Sequence, residues 1–150
     1  MLVLVAHSFN ACAAEPMSVY FLTFRFMSTY VPVQPEDIMK YPYEKWKITS
    51  VEKQEKLLQI LNQGSNAYEF SGNFLRGVVV RGQETYLIDG RGVVIKGDSS
   101  SIIINDVGGA VSMKDSKSPI IIDTEAFLEF GKSLSSDERK VFYDPYRSKK

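Results

Sequence analysis

The run Phe74-Leu-Arg-Gly-Val-Val-Val-Arg-Gly-Gln-Glu-Thr-Tyr-Leu-Ile-Asp-Gly-Arg-Gly-Val-Val-Ile-Lys-Gly-Asp-Ser-Ser-Ser-Ile-Ile-Ile-Asn105 decides the fold. It holds four runs rich in β-branched and aromatic residues: 74–81, 85–88, 93–96 and 101–105. Such residues suit a pleated, half-buried surface. Gly82-Gln83, Asp89-Gly90-Arg91-Gly92 and Gly97-Asp98-Ser99 separate them. Asp-Gly at a tight turn supplies the positive φ that a twisted hairpin demands. The spacing predicts an antiparallel meander over about residues 74–105.

Outside this run, Val19–Met27 is apolar on most of both faces and reads as a central strand over 18–27. Pro32, Pro35 and Pro42 break up the next segment, with one helical turn expected at Pro35–Met39. Thr49-Ser50-Val51-Glu52 fits a capping box with Thr49 as N-cap. The helix it opens should bury Val51, Gln54, Leu57, Leu58 and Leu61 and stop at Gly64. Val107–Met113 and Pro119–Ile122 are further strand candidates. Asp123 or Thr124 caps a helix to about Lys132 that buries Phe127, Leu128 and Phe130. Ser135-Ser136-Asp137-Glu138 is a second capping-box match, starting a last helical turn with Val141 and Phe142. Strands in a run with helices outside it argue α+β, an antiparallel sheet with helices packed on one face.

Residues 1–14 raise the question of export. Leu2–Ala6 is a short apolar run, and Ala11-Cys12-Ala13 supplies a small-x-small cleavage pattern. A secretory signal is the expected reading, with residues 15–150 as one α+β domain in the periplasm or outside the cell. No Lys or Arg precedes the run, a departure that an upstream start would repair. A buried N-terminal strand and a lipid anchor at Cys12 are the alternatives.

Composition narrows the chemistry. Eighteen basic and eighteen acidic residues cancel, with no long block of one sign, so nothing supports nucleic acid as a partner. No apolar run reaches the ~20 residues of a membrane span. His7 and Cys12 are the sole histidine and cysteine, and both precede residue 15. A chain trimmed there has no Ser-His-Asp triad, no Cys-His pair and no imidazole metal site, and no cofactor or metal is expected. Gly97-Asp98-Ser99 matches the nucleophile block of GDS-type esterases, but those need a downstream histidine and the chain has none beyond residue 7. A hairpin turn explains it better. Carboxylate-only glycan hydrolysis remains an alternative, with Asp89, Asp98, Asp106 and Asp123 as candidates.

Two stretches suit protein binding. Tyr30, Tyr41, Tyr43 and Trp46 cluster in one segment, and Tyr and Trp anchor interfaces by burying area while keeping a polar handle. Covering one end of the sheet is their structural alternative. The polar loop 112–118 supplies Lys114, Asp115 and Lys117. Tyr143, Tyr146 and Arg147 form a smaller aromatic-basic group. The expectation is an exported binding protein of immunity or inhibitor type, occluding a toxin or envelope hydrolase. A structural subunit assembling through its sheet edges is a further alternative.

Overall fold

The computed structural model describes residues 15–24, 33–105 and 109–142. Expectations for residues 1–14, 25–27, Tyr30, Asp106, Val107 and 143–150 lie outside them.

The chain folds as an α+β structure around an eight-stranded sheet. The strands are β1 (Met17–Phe21), β2 (Glu44–Ile48), β3 (Gly64–Asn66), β4 (Leu75–Arg81), β5 (Glu84–Asp89), β6 (Val93–Asp98), β9 (Ile120–Ile122) and β10 (Arg139–Val141). A two-stranded hairpin, β7 (Ile102–Ile104) with β8 (Val111–Met113), stands apart from it. The helices are α1 (Pro35–Lys40), α2 (Val51–Asn62) and α3 (Thr124–Ser133). Sheet order is β10-β2-β1-β4-β5-β6-β9-β3, each neighbouring pair antiparallel.

The meander holds for its first three strands. Val78 faces Leu87 and Leu87 faces Ile95, while Val79 faces Tyr86 and Ile88 faces Val94. Successive side chains point to opposite faces, so these two sets line two different surfaces, and both are apolar. One surface packs with Met17, Val19, Phe21, Trp46, Ile48, Leu57, Leu61 and Phe127. The other packs with Ile38, Phe70, Ile104 and Met113. The helices therefore do not all share a face. Leu57 of α2 and Phe127 of α3 cover one side; Ile38 of α1 and the β7–β8 hairpin cover the other. A sheet apolar on both sides needs both sides covered, and two helices reach only one.

The fourth run of the expected meander is displaced for the same reason. After Asp98 a 3-10 turn at Ser99–Ser101 carries Ile102–Ile104 away from the sheet to pair with β8. Its place beside β6 is taken by β9, with Val93 opposite Ile121 and Val94 opposite Ile120.

Other boundaries shift by identifiable contacts. The strand expected over 18–27 ends at Phe21, with Leu22 N still donating to the Arg76 carbonyl at 2.8 Å. Ser50, not Thr49, caps α2, its hydroxyl accepting from Lys53 N at 3.4 Å. Ile48 is held in β2 opposite Met17, so the helix cannot begin sooner. Val51 is exposed rather than buried. Gly64 does not terminate α2 as a left-handed cap; it opens β3, and a Cβ there would lie 2.8 Å from the Ile121 carbonyl carbon. The positive φ of the β5–β6 turn sits at Gly92 (φ 83°), not at Gly90. Asp123 caps α3 by accepting from Ala126 N at 3.0 Å. Phe127 is fully buried, whereas Leu128 is exposed. Glu138 closes the second capping box onto Ser135 N and Oγ, but the chain leaves it as strand β10.

Candidate functional site

The segment after α1 becomes a surface because of how it enters the sheet. Tyr41 caps α1 through its backbone N–H to the Asp37 carbonyl, and β2 starts at Glu44. Tyr43 N donates to the Phe21 carbonyl at 3.1 Å, and Phe142 N donates to the Tyr43 carbonyl at 2.7 Å. The second bond ties the C-terminal strand to the aromatic segment. Two stretches about a hundred residues apart in sequence thus meet at one corner of the sheet.

That corner is apolar and open. Tyr41 is 70% exposed, Phe142 62% and Val141 51%. Tyr43 is half-buried. Lys40 Nζ lies 5.3 Å from the centre of the Tyr41 ring, a cation–π placement. The remaining exposed large apolar residues described, Met39, Val51, Tyr68, Ile103, Ile121 and Leu128, are spread over other elements. Single exposed apolar residues are ordinary; a group of them is the informative case.

Beneath the corner lies Glu44, whose carboxylate accepts from Trp46 Nε1 at 2.6 Å and from Arg139 Nε. This ties the core tryptophan to the edge strand. Trp46 itself is 1% exposed, packed on Phe127 with ring centres 4.9 Å apart. It belongs to the core and presents no surface to a partner. The indole faces α3, so only the chain around it reaches solvent.

The loop after β8 is elsewhere. Lys114, Asp115 and Lys117 are exposed, but the backbone is pinned to β6: Asp98 N donates to the Lys114 carbonyl and Lys117 N to the Lys96 carbonyl, both at 2.9 Å. Asp115 takes a left-handed conformation with φ 54°. Between β2 and β6 lie β1, β4 and β5, four strand spacings or roughly 19 Å. The two expected binding stretches therefore do not form one surface.

Three of the four aspartates that sequence offers for glycan hydrolysis, Asp89, Asp98 and Asp123, have structural work. Asp89 is fully buried; Oδ1 accepts from Arg91 N at 2.8 Å and Val93 N at 3.0 Å, and Oδ2 pairs with the Arg91 guanidinium at 2.7 Å. It closes the β5–β6 turn. Asp98 caps the 3-10 turn through Ser100 N at 2.8 Å, a bond that holds its carboxyl below the usual range. Asp123 caps α3. Asp89 and Asp98 sit at opposite ends of the β5–β6 hairpin, about 17 Å apart along the strand, beyond the ~5–9.5 Å that paired glycosidase carboxylates need.

A cleft of about 450 Å³ opens between α2 and the β4–β5 turn, lined by Glu15, Val51, Gln54, Glu55, Arg81, Gln83 and Glu84. Glu84 is committed within it to Lys96 at 2.8 Å and Arg81 at 3.4 Å. Gln54 spends its amide on the Glu15 and Ile48 carbonyls, both at 2.8 Å. Among the described residues no group of three or more His, Cys, Asp or Glu is placed to hold a metal ion, and no helix is long and apolar enough to cross a membrane.

Comparison with family models, with curated proteins and with solved structures finds no match to this chain.

Proposed function

We propose that this is a stoichiometric protein-binding domain, of inhibitor or immunity type, that docks a partner on the corner formed by Tyr41, Tyr43, Val141 and Phe142. The observation that carries the reading is the pairing of β10 with β2, which gathers exposed aromatic and aliphatic side chains from distant stretches at one place. Aromatic side chains there offer contact area at small entropic cost, which is what a binding surface uses. The corner is rimmed by Lys40 and Lys140, a pattern of apolar centre and charged rim common at interfaces. Action is by occlusion. The aspartates nearest in type to a catalytic set are spent on turns and caps, which favours binding over hydrolysis. Export of the mature chain from about residue 15 belongs to the same proposal.

The test uses the full chain in its native host, with a photo-crosslinking residue at Tyr41. Intact-mass analysis of the product reads the mature N-terminus and the partner together. The expected result is one partner crosslinked in 1:1 ratio, lost when Phe142→Ser is added while the far-ultraviolet circular dichroism is unchanged. A partner retained at full yield in that variant, or no crosslinked protein, would overturn the reading.

A further inference from the structure

Beside the aromatic corner, the sheet carries a row of positive charge with no described carboxylate against it. Lys140 of β10 stands directly opposite Lys45 of β2, and Lys47 lies two residues further along β2, its N–H bonded to the Glu138 carbonyl at 2.7 Å. Lys45 and Lys47 share the face opposite Trp46 and Ile48. Lys47 and Lys140 are exposed, and Lys45 is half-buried with Nζ 5.2 Å from the Tyr20 ring centre. Like charges directly opposite across strands are destabilising. Among the described residues none of the three lysines has a carboxylate within ion-pairing distance; the seven ion pairs found there involve other cations. The neighbouring cation Arg139 shows the contrast: on the other face, it is neutralised by Glu44.

The backbone of β10 adds a second observation. It is the outermost strand of the sheet. The bonds Phe142 N to Tyr43 O and Lys47 N to Glu138 O turn residues 138, 140 and 142 toward β2. By antiparallel alternation, Arg139 and Val141 turn their peptide groups outward. Arg139 N is spent on the Ser135 carbonyl at 2.9 Å. The Arg139 carbonyl and both backbone groups of Val141 face outward, and no described strand pairs with them.

We infer that β10 receives an extended acidic segment of a partner protein, added as a further strand. The segment bonds to Val141 through its backbone. It places carboxylates on the Lys45–Lys140 face and an apolar side chain beside Val141, so its sequence alternates acidic and apolar residues. This rests on the proposed docking corner and names the chemistry of what docks there. Strand addition draws affinity from main-chain bonds and specificity from alternate side chains. A second copy of this chain is a poorer occupant, because β10 against β10 would bring the Lys140 charges together. Nucleic acid could answer the lysines but not the outward peptide groups of Val141.

The test uses the full chain, nuclear magnetic resonance and three synthetic pentapeptides. Ac-Glu-Val-Glu-Val-Glu-amide should shift the amides of Lys45, Arg139, Lys140 and Val141 and protect the Val141 N–H from exchange. Ac-Lys-Val-Lys-Val-Lys-amide should do neither. Ac-Glu-Pro-Glu-Pro-Glu-amide keeps the charge but lacks the two inner N–H donors, and should not protect Val141. The double variant Lys45→Glu, Lys140→Glu should weaken the acidic peptide by about tenfold or more, and Lys140→Gln alone should weaken it less. Equal binding of the proline peptide, equal binding of the lysine peptide, or displacement of the acidic peptide by an oligothymidylate of equal charge would overturn strand addition. If the acidic peptide fails while Phe142→Ser still releases the natural partner, the strand inference falls and the docking corner stands. If the peptide binds but the partner ignores Phe142→Ser, the docking corner falls.

Discussion

The indole of Trp46 lies so close over Gly131 that no side chain fits between them: a Cβ on Gly131 would stand 2.7 Å from Cη2 and 3.0 Å from Cε2. The glycine is helical, in the last turn of α3, where an alanine would ordinarily gain about 1 kcal/mol. Here that gain meets a rigid ring wedged against Phe127 and Phe130. Forcing extra volume into a packed core costs about 1–3 kcal/mol. Gly131→Ala should therefore lower stability despite the better helix former. Urea unfolding of the two proteins checks the sign; an unchanged or raised midpoint would mean that α3 can move off the sheet.

Trp46 and Tyr41 separate core from surface within five residues. Trp46→Ala should cost about 3–5 kcal/mol, the range for truncating a buried large aromatic. It also strips Glu44 of one of its two donors. Tyr41→Ala removes a ring that is 70% exposed and should stay within about 0.5 kcal/mol of the parent. Thermal melts of both variants settle the assignment. A Tyr41→Ala melt as low as that of Trp46→Ala would place Tyr41 in the fold rather than at a docking surface.

These two residues also show where the sequence is legible. The first three strands of the meander can be read because glycine and aspartate turns punctuate runs rich in β-branched and aromatic residues. That richness does not say that both faces are buried or that β7 leaves the sheet, since Ile102–Ile104 fits either place. Trp46 and Tyr43 look alike as interface anchors among the aromatics. Their fates diverge because β2 alternates, sending Trp46 to α3, while Tyr43 precedes the strand. β10 is hidden for another reason. Its capping box forms as the residues dictate, with Glu138 on Ser135, but the free edge of β2 then draws the chain into a strand instead of a helical turn. β3 has no local signal at all: Gly-Ser-Asn becomes a strand because β9 is there to pair with it.

Asp89 sets the stability of the β5–β6 turn. Its carboxylate is the acceptor for the buried N–H of Val93 and for the N–H of Arg91. Asp89→Ala leaves the Val93 donor unmet, at about 1–3 kcal/mol. The Arg91 side chain is 38% exposed and still reaches water, so it adds less. The expected result is a loss in that range with faster amide exchange confined first to residues 90–93. A variant as stable as the parent would show that the turn is closed by backbone bonds alone.

Glu84 carries the pH dependence that can be signed. The hydrogen bond from Lys96, followed by the Lys96 and Arg81 charges, holds its carboxyl below the usual range. The same bond raises Lys96. A depressed carboxylate contributes stability above its unfolded value of about 4.3, and loses it as pH falls through the lower folded value. A raised lysine contributes below about 10.4, and loses it as pH rises through the higher folded value. The pair therefore acts between those limits. Both side chains are about a third exposed, so solvent keeps the contribution near 0.2–1 kcal/mol. Glu84→Gln should be less stable than the parent by that amount at neutral pH. The gap should shrink as pH falls below the unfolded value and the parent's Glu84 takes up its proton. Paired urea titrations at neutral and acid pH read the difference directly, with the other carboxylates cancelling between the two proteins. A gap that persists undiminished in acid would assign the loss to packing of the side chain against Arg81 and Lys96 rather than to its charge.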